Sequence, residues 1–188
     1  TYVGRIFVTP DRIYLNTDRG FEYLDRKTQQ FRFFPIVTTK GDTIPLGSCK
    51  TLRDSKGRIW MGTPGLPQLR VYDPATDKID ISATITLPNI SNDYFIRGLI
   101  EDKKGRLWIC TQHHILRIST DRKQVEYCLH ISDLEKLKPD RVFFSIYEDH
   151  QGIIWLGMND RKSIYYFDPR QELFQRTALP SLKFPNEW

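Results

Sequence analysis

Cysteine is scarce in this chain: 188 residues carry three, Cys49, Cys110 and Cys128, an odd number with no metal-ligand spacing among them. That excludes a disulfide framework and a thiolate metal site, and the three read as small buried residues. Methionine occurs only twice, and no apolar run approaches the ~20 residues that a membrane-spanning helix requires. Helical periodicity is missing almost everywhere. The one exception is Ser132 to Lys138, where Ser132 and Glu135 resemble a capping box and Pro139 would end one or two turns. No leader sequence opens the chain, since Thr1-Tyr2-Val3-Gly4 already reads as strand. A processed or excised segment would look like this, so compartment stays open. Charge is not one-sided either: 28 Lys and Arg face 23 Asp and Glu, a formal net charge of +5. The basic residues Lys56, Arg58, Lys103, Lys104 and Arg106 each lie near Asp54, Glu101 or Asp102, as on a solvated edge. A basic stripe interleaved with exposed aromatics is absent, which argues against nucleic acid as a partner.

What is abundant is repetition. Hydrophobic residues make up 39% of the chain and aromatics 13%, enough for a sizeable core. The stretch Asp54-Ser-Lys-Gly57-Arg58-Ile59-Trp60-Met61-Gly62-Thr63 recurs as Asp102-Lys-Lys-Gly105-Arg106-Leu107-Trp108-Ile109-Cys110-Thr111 and as Asp149-His-Gln-Gly152-Ile153-Ile154-Trp155-Leu156-Gly157-Met158. A degenerate copy, Asp11 to Thr17, has Tyr14 in place of the tryptophan. Arg12, Arg58, Arg106 and Ile153 are separated by 46, 48 and 47 residues. A period of about 40 to 50 residues with one Gly-aromatic motif per unit is that of a propeller blade. The aspartate and glycine supply tight-turn chemistry. The strand after them is apolar or small on both sides, as between two neighbouring sheets, so its tryptophans are expected in blade-to-blade core. The small residue two positions after each tryptophan is expected to leave room for a ring from next door.

The predicted fold is therefore all-β, with four-stranded antiparallel blades in units of approximately 1–36, 37–87, 88–132 and 133–180, and 181–188 as a tail or the start of a further unit. Four units are read as part of a larger ring, with a closed ring of four as the less favoured alternative, because an open arc leaves apolar faces and edges uncovered. In each unit the turns after the first and third strands are short and uniform, too short to form a pocket. The links after the second and fourth strands vary, and antiparallel pairing gathers them at the opposite end, where function is expected. The candidate ligand-binding residues there are Arg19, Gln68, His113, His114, Asn159 and Arg161, with Asn92 and Tyr94 in an inter-blade loop. They offer planar polar groups and an aromatic face to a ligand. Of the four histidines, His150 lies in a turn and His130 in an outer strand, which leaves His113 and His114 at the variable end. Adjacent strand residues point oppositely, so neither a metal site nor a catalytic residue is assigned, and no cofactor is expected.

The residues Asp54, Gly57, Trp60, Gly62, Thr63, Gly65, Leu66, Tyr72, Asp73 and Pro74 resemble the two-component regulator propeller repeat, with close echoes in the last unit and looser ones in the first and third. His113-His114 in place of Gly-Leu, and Met158 in place of Thr, depart from it. The resemblance implies a periplasmic sensor region of a hybrid histidine kinase anchored in the inner membrane, non-catalytic in this segment. It implies oligosaccharide recognition that controls glycan use, with planar polar groups for vicinal hydroxyls and an aromatic face for a sugar ring, further blades of the same parent chain in a ring of about seven, a homodimeric receptor and no membrane contact by this segment. Streptogramin lyases also carry Asp-x-x-Gly-x-x-Trp repeats, and a protein-interaction scaffold fits the blades equally well; both are kept as alternatives.

Overall fold

The computed structural model describes residues 3–17, 20–34, 50–62, 67–88, 95–134, 142–159 and 163–178. They form four antiparallel sheets, each meandering from an inner to an outer strand. The first blade comprises β1 (Val3–Val8), β2 (Arg12–Thr17), β3 (Gly20–Asp25) and β4 (Phe31–Phe34). The second comprises β5 (Thr51–Arg53), β6 (Ile59–Gly62), β7 (Gln68–Asp73) and β8 (Lys78–Thr86). In the third are β9 (Gly98–Glu101), β10 (Leu107–Cys110), β11 (His114–Ile118) and β12 (Val125–His130). The fourth follows with β13 (Phe143–Glu148), β14 (Ile154–Met158), β15 (Ser163–Asp168) and β16 (Leu173–Ala178).

The recurrent turn is built as its chemistry requires. Oδ1 of Asp54 accepts the N–H groups of Lys56 (3.0 Å) and Arg58 (2.9 Å), and Asp102 does the same for Lys104 (3.0 Å) and Arg106 (2.9 Å). Gly57, Gly105 and Gly152 follow with φ of 83°, 77° and 82°, the left-handed region that only glycine enters freely. Gly105→Val is expected to cost about 1 to 2 kcal/mol, whereas Lys104→Ala is nearly silent. Denaturant titration checks this, and equal effects would contradict the turn geometry.

Alternation along each second strand puts its two faces into two different cores. Ile59 and Met61 pack against Tyr14, Phe21 and Tyr23 of the first blade, while Trp60 packs with Leu99, Leu107 and Ile109 of the third. Trp108 in turn packs with Ile154, Leu156, Tyr165 and Phe167 of the fourth. Among the described residues, no cluster joins the fourth blade to the first. The outward faces at the two ends of the arc are less covered. Trp155 is only half-buried, whereas Trp60 and Trp108 are 0% exposed, and Tyr147, paired with Trp155, is 65% exposed. On the first blade Ile6 and Val8 are exposed, and Ile13, Leu15 and Leu24 are half-buried.

Three expectations are corrected. The space beside Gly62 is taken by Ile96, 2.7 Å from where a Cβ would stand, and the space beside Gly157 by Ser145 of its own blade, so no ring enters either position. Cys128 is exposed, because outer-strand alternation turns it to solvent, while Cys110 is buried as expected; Cys49 lies outside the described residues. The helix α1 (Ile131–Leu134) begins one residue early, since Asp133 takes the backbone N–H of His130 (3.1 Å). The cap is thus His130 with Asp133; Glu135 and Pro139 lie outside the described residues.

Candidate functional site

Starts of third strands and ends of second and fourth strands share one end of the arc, so register decides which variable residues meet. Gln68 opens β7 opposite Thr86. Asn159 is exposed and closes the entry to the fourth blade, its Oδ1 accepting the Val142 N–H at 3.0 Å. His113 and His114 lie in a tight link whose Thr111 Oγ1 accepts the His114 N–H at 2.8 Å. Arg19, Asn92, Tyr94 and Arg161 fall outside the described residues.

His130 lies in the outer strand as expected, but at its end, so it joins this group rather than standing apart from it. Pairing puts it directly opposite His114, since an outer strand returns to the end where the third strand began. Its ring lies 4.7 Å from His114 and 6.2 Å from His113 between centroids. Both neighbours reach one ring because His113 precedes the strand and is released from its alternation. Among the described residues no group of histidine, cysteine and carboxylate side chains has metal-binding geometry.

Residues not singled out from sequence lie where the third and fourth blades meet the arc's inner edge. A bulge in β13, between Phe143 and Ser145, breaks the alternation, so Phe143 is fully buried while Phe144 is thrown out and left 52% exposed. Phe95 is exposed beside it. Between them lies Arg97, its guanidinium carbon 5.7 Å from the Phe95 ring centre and 5.4 Å from that of Phe144. The Arg97 main chain is pinned by its N–H to the Cys110 carbonyl at 2.7 Å, and its Nε is buried with no hydrogen-bond partner among the described residues. Two exposed rings flanking a planar cation provide stacking faces and donors together. Phe95 adjoins the loop that carries Asn92 and Tyr94, and that adjacency was the available signal. The bulge was not legible, because it depends on pairing with β14.

The turn end is not uniform, contrary to expectation. Each recurrent aspartate holds its tryptophan through Oδ2: Asp54 to the Trp60 indole N–H (2.8 Å), Asp102 to Trp108 (2.8 Å) and Asp149 to Trp155 (2.7 Å). Burial pushes the Asp54 carboxyl up, but the Trp60 indole, the Arg58 backbone N–H and the Arg58 guanidinium outweigh it and hold it below the usual carboxylate range. The bond from Trp155 likewise lowers Asp149. A carboxyl lowered in the folded state contributes stability that is present above its unfolded value, about 4, and is lost as pH falls through the folded value. Melting temperature is therefore expected to decline below about pH 4, and a rise on acidification in a pH series of melts would contradict the assignment. The first blade has Thr9-Pro10-Asp11 instead of this turn, and there a cleft of about 570 Å³ opens between the first and second blades.

The model of the two component regulator propeller matches residues 89–113 and 136–160. These two stretches take in the first two strands of the third and of the fourth blade. No curated protein matches the sequence. Among solved structures, the chain is similar to the extracellular domain of BT4673 from B. thetaiotaomicron, described as a hybrid two component system, with a TM-score of 0.70 at 19% identity, covering 96% of this chain and 23% of that one. It is also similar to virginiamycin B lyase from Staphylococcus aureus, with a TM-score of 0.71 at 16% identity over 97% of this chain and 57% of the enzyme. These likenesses establish the propeller fold, and the chain spans about a quarter of BT4673's domain and just over half of the lyase.

Proposed function

We propose that this propeller segment is the extracytoplasmic, periplasmic ligand-recognition region of a hybrid two-component signalling protein, and that it responds to oligosaccharides and so governs glycan use. The observation that carries the reading is the Phe95, Arg97 and Phe144 platform at the variable end of a chain whose residues 89–113 and 136–160 match the regulator-propeller model. Exposed rings stack on the apolar face of a sugar, and a guanidinium donates to adjacent hydroxyls. Gln68, His113, His114 and Asn159 border the same end, and Arg19, Asn92, Tyr94 and Arg161 complete the proposed ligand-binding set. No catalytic role is assigned to the segment. The half-covered faces at Trp155 and Ile13 support further blades of the same parent chain, completing a ring of about seven, within a homodimeric receptor.

A thermal-shift screen of neutral oligosaccharides on the complete extracytoplasmic region tests the reading, because a ligand that binds only the folded state raises its melting temperature. Phe144→Ala, Arg97→Ala, Tyr94→Ala and Arg161→Ala are expected to weaken the hit, and Lys56→Ala at the turn end to leave it unchanged. Turnover of a streptogramin by the same protein would favour the lyase-type alternative, and capture of a protein partner with no glycan hit would favour a scaffold.

A further inference from the structure

The residue just before the recurrent aspartate is Glu101 in the third blade and Glu148 in the fourth. Both reach back to clip the preceding blade. Glu101 accepts the N–H and hydroxyl of Ser55, and Glu148 accepts the N–H of Lys103 at 3.0 Å. At the seam between the first and second blades both halves of this clip are changed. The equivalent residue is Arg53, of opposite charge, and the turn it faces contains Pro10, which has no N–H to offer.

The seam consequently stays open at the turn end. The cleft of about 570 Å³ there is walled by Pro10, Asp25, Lys27, Arg53 and Pro74, whereas the corresponding space between the third and fourth blades, which Glu148 and Arg170 line, is about 190 Å³. The Arg53 side chain is exposed and makes no hydrogen bond or ion pair among the described residues. Other arginines are engaged: Arg122 by Glu101 (2.7 Å) and Arg106 by Asp102 (2.7 Å) elsewhere at the turn end, and Arg12, which also lines this cleft, by Asp77 (3.2 Å). Of the two carboxylates on the wall, Asp25 already accepts the N–H groups of Lys27 and Thr28 (2.9 Å each), and Asp11 stands exposed at the rim. The rim is held in place by Arg26, which donates to the carbonyls of Thr9 (3.3 Å) and Pro10 (3.2 Å).

We propose that this cleft is a second binding site, one that takes an oxyanion, the carboxylate or phosphate group of a small ligand, with Arg53 as bidentate donor and Lys27 as the second cation. It is separate from the variable end and independent of what binds there. Calorimetric or NMR titration of this chain with glucuronate, glucose 6-phosphate and glucose tests it, the three sharing a ring and differing in the anion. Glucuronate or glucose 6-phosphate is expected to bind and glucose not, with affinity falling as salt rises; whichever anion binds more tightly identifies the group. Arg53→Glu, which installs the carboxylate of the other seams, is expected to abolish binding. Arg53→Ala should raise Kd roughly tenfold, and Lys27→Ala by a smaller factor. Because Arg53 is exposed and unpaired, melting temperature should not change, and Lys56→Ala should leave Kd as it was. Binding of neither anion, equal binding of glucose, or undiminished affinity in Arg53→Glu overturns the proposal. A neutral oligosaccharide bound at the variable end would be indifferent to Arg53, so failure here and failure of the sensor reading are distinguishable.

Discussion

Trp108→Ala is expected to lower stability by about 3 to 5 kcal/mol, because it empties a space that two blades share. The indole is fully buried, lies 5.1 Å from the Phe167 ring of the next blade and donates its N–H to Asp102. Truncation removes that ring contact, leaves a cavity lined by Ile154 and Leu156, and strips Asp102 of a donor. For a chain of this length the loss corresponds to a drop in melting temperature of about 10 °C. Trp155 supplies the internal comparison. It holds the same position in its blade and makes the same bond to Asp149, yet its outward face is only half-covered. Trp155→Ala should therefore cost about 1 to 2 kcal/mol in this chain. Measured in the parent protein, its cost should approach that of Trp108→Ala if a further blade covers it. Equal melting temperatures for the two variants of the isolated chain would contradict the interblade placement of Trp108.

The contrast between these tryptophans also marks what the sequence makes legible. A strand apolar on both faces, bounded by an Asp-x-x-Gly turn and repeated at a near-constant interval, makes sheet, turn and inter-blade burial readable together, and the four sheets, the turns and the burial of Trp60 and Trp108 are found as read. Local chemistry suffices there. Where a result depends on which residues are brought opposite each other, the sequence is mute. His130 meets His114 only through the β11–β12 register, and Phe144 leaves the core only because β13 bulges against β14. Likewise the charge reversal at Arg53 is visible in the alignment of repeats. Its consequence is not, because the missing clip involves Pro10 of another blade. The candidate site is thus half-legible: Gln68, His113, His114 and Asn159 point to the end where the aromatic platform lies, while the platform itself depends on an irregularity in pairing.

Asp102→Ala is expected to destabilise by about 3 to 5 kcal/mol, since removing one partner of a buried charged network strands the others. The side chain is 2% exposed and accepts four bonds. Two of them shape the turn, through the N–H groups of Lys104 and Arg106; the other two, from the Arg106 guanidinium (2.7 Å) and the Trp108 indole (2.8 Å), fix that turn to the core. Alanine leaves the indole N–H unsatisfied at the interface and Arg106 without its counter-ion. Asn keeps the shape and one acceptor, but turns an amide N–H₂ toward a donor, so Asp102→Asn should recover the Oδ1 bonds alone and fall roughly midway. The double variant Asp102→Ala with Trp108→Ala discriminates the roles. If the carboxylate acts largely through the tryptophan, its cost will be clearly less than the sum of the single costs, by roughly 1 kcal/mol or more. Strict additivity in chemical denaturation would instead mean that Asp102 serves only its turn, and that turn and inter-blade core are stabilised separately.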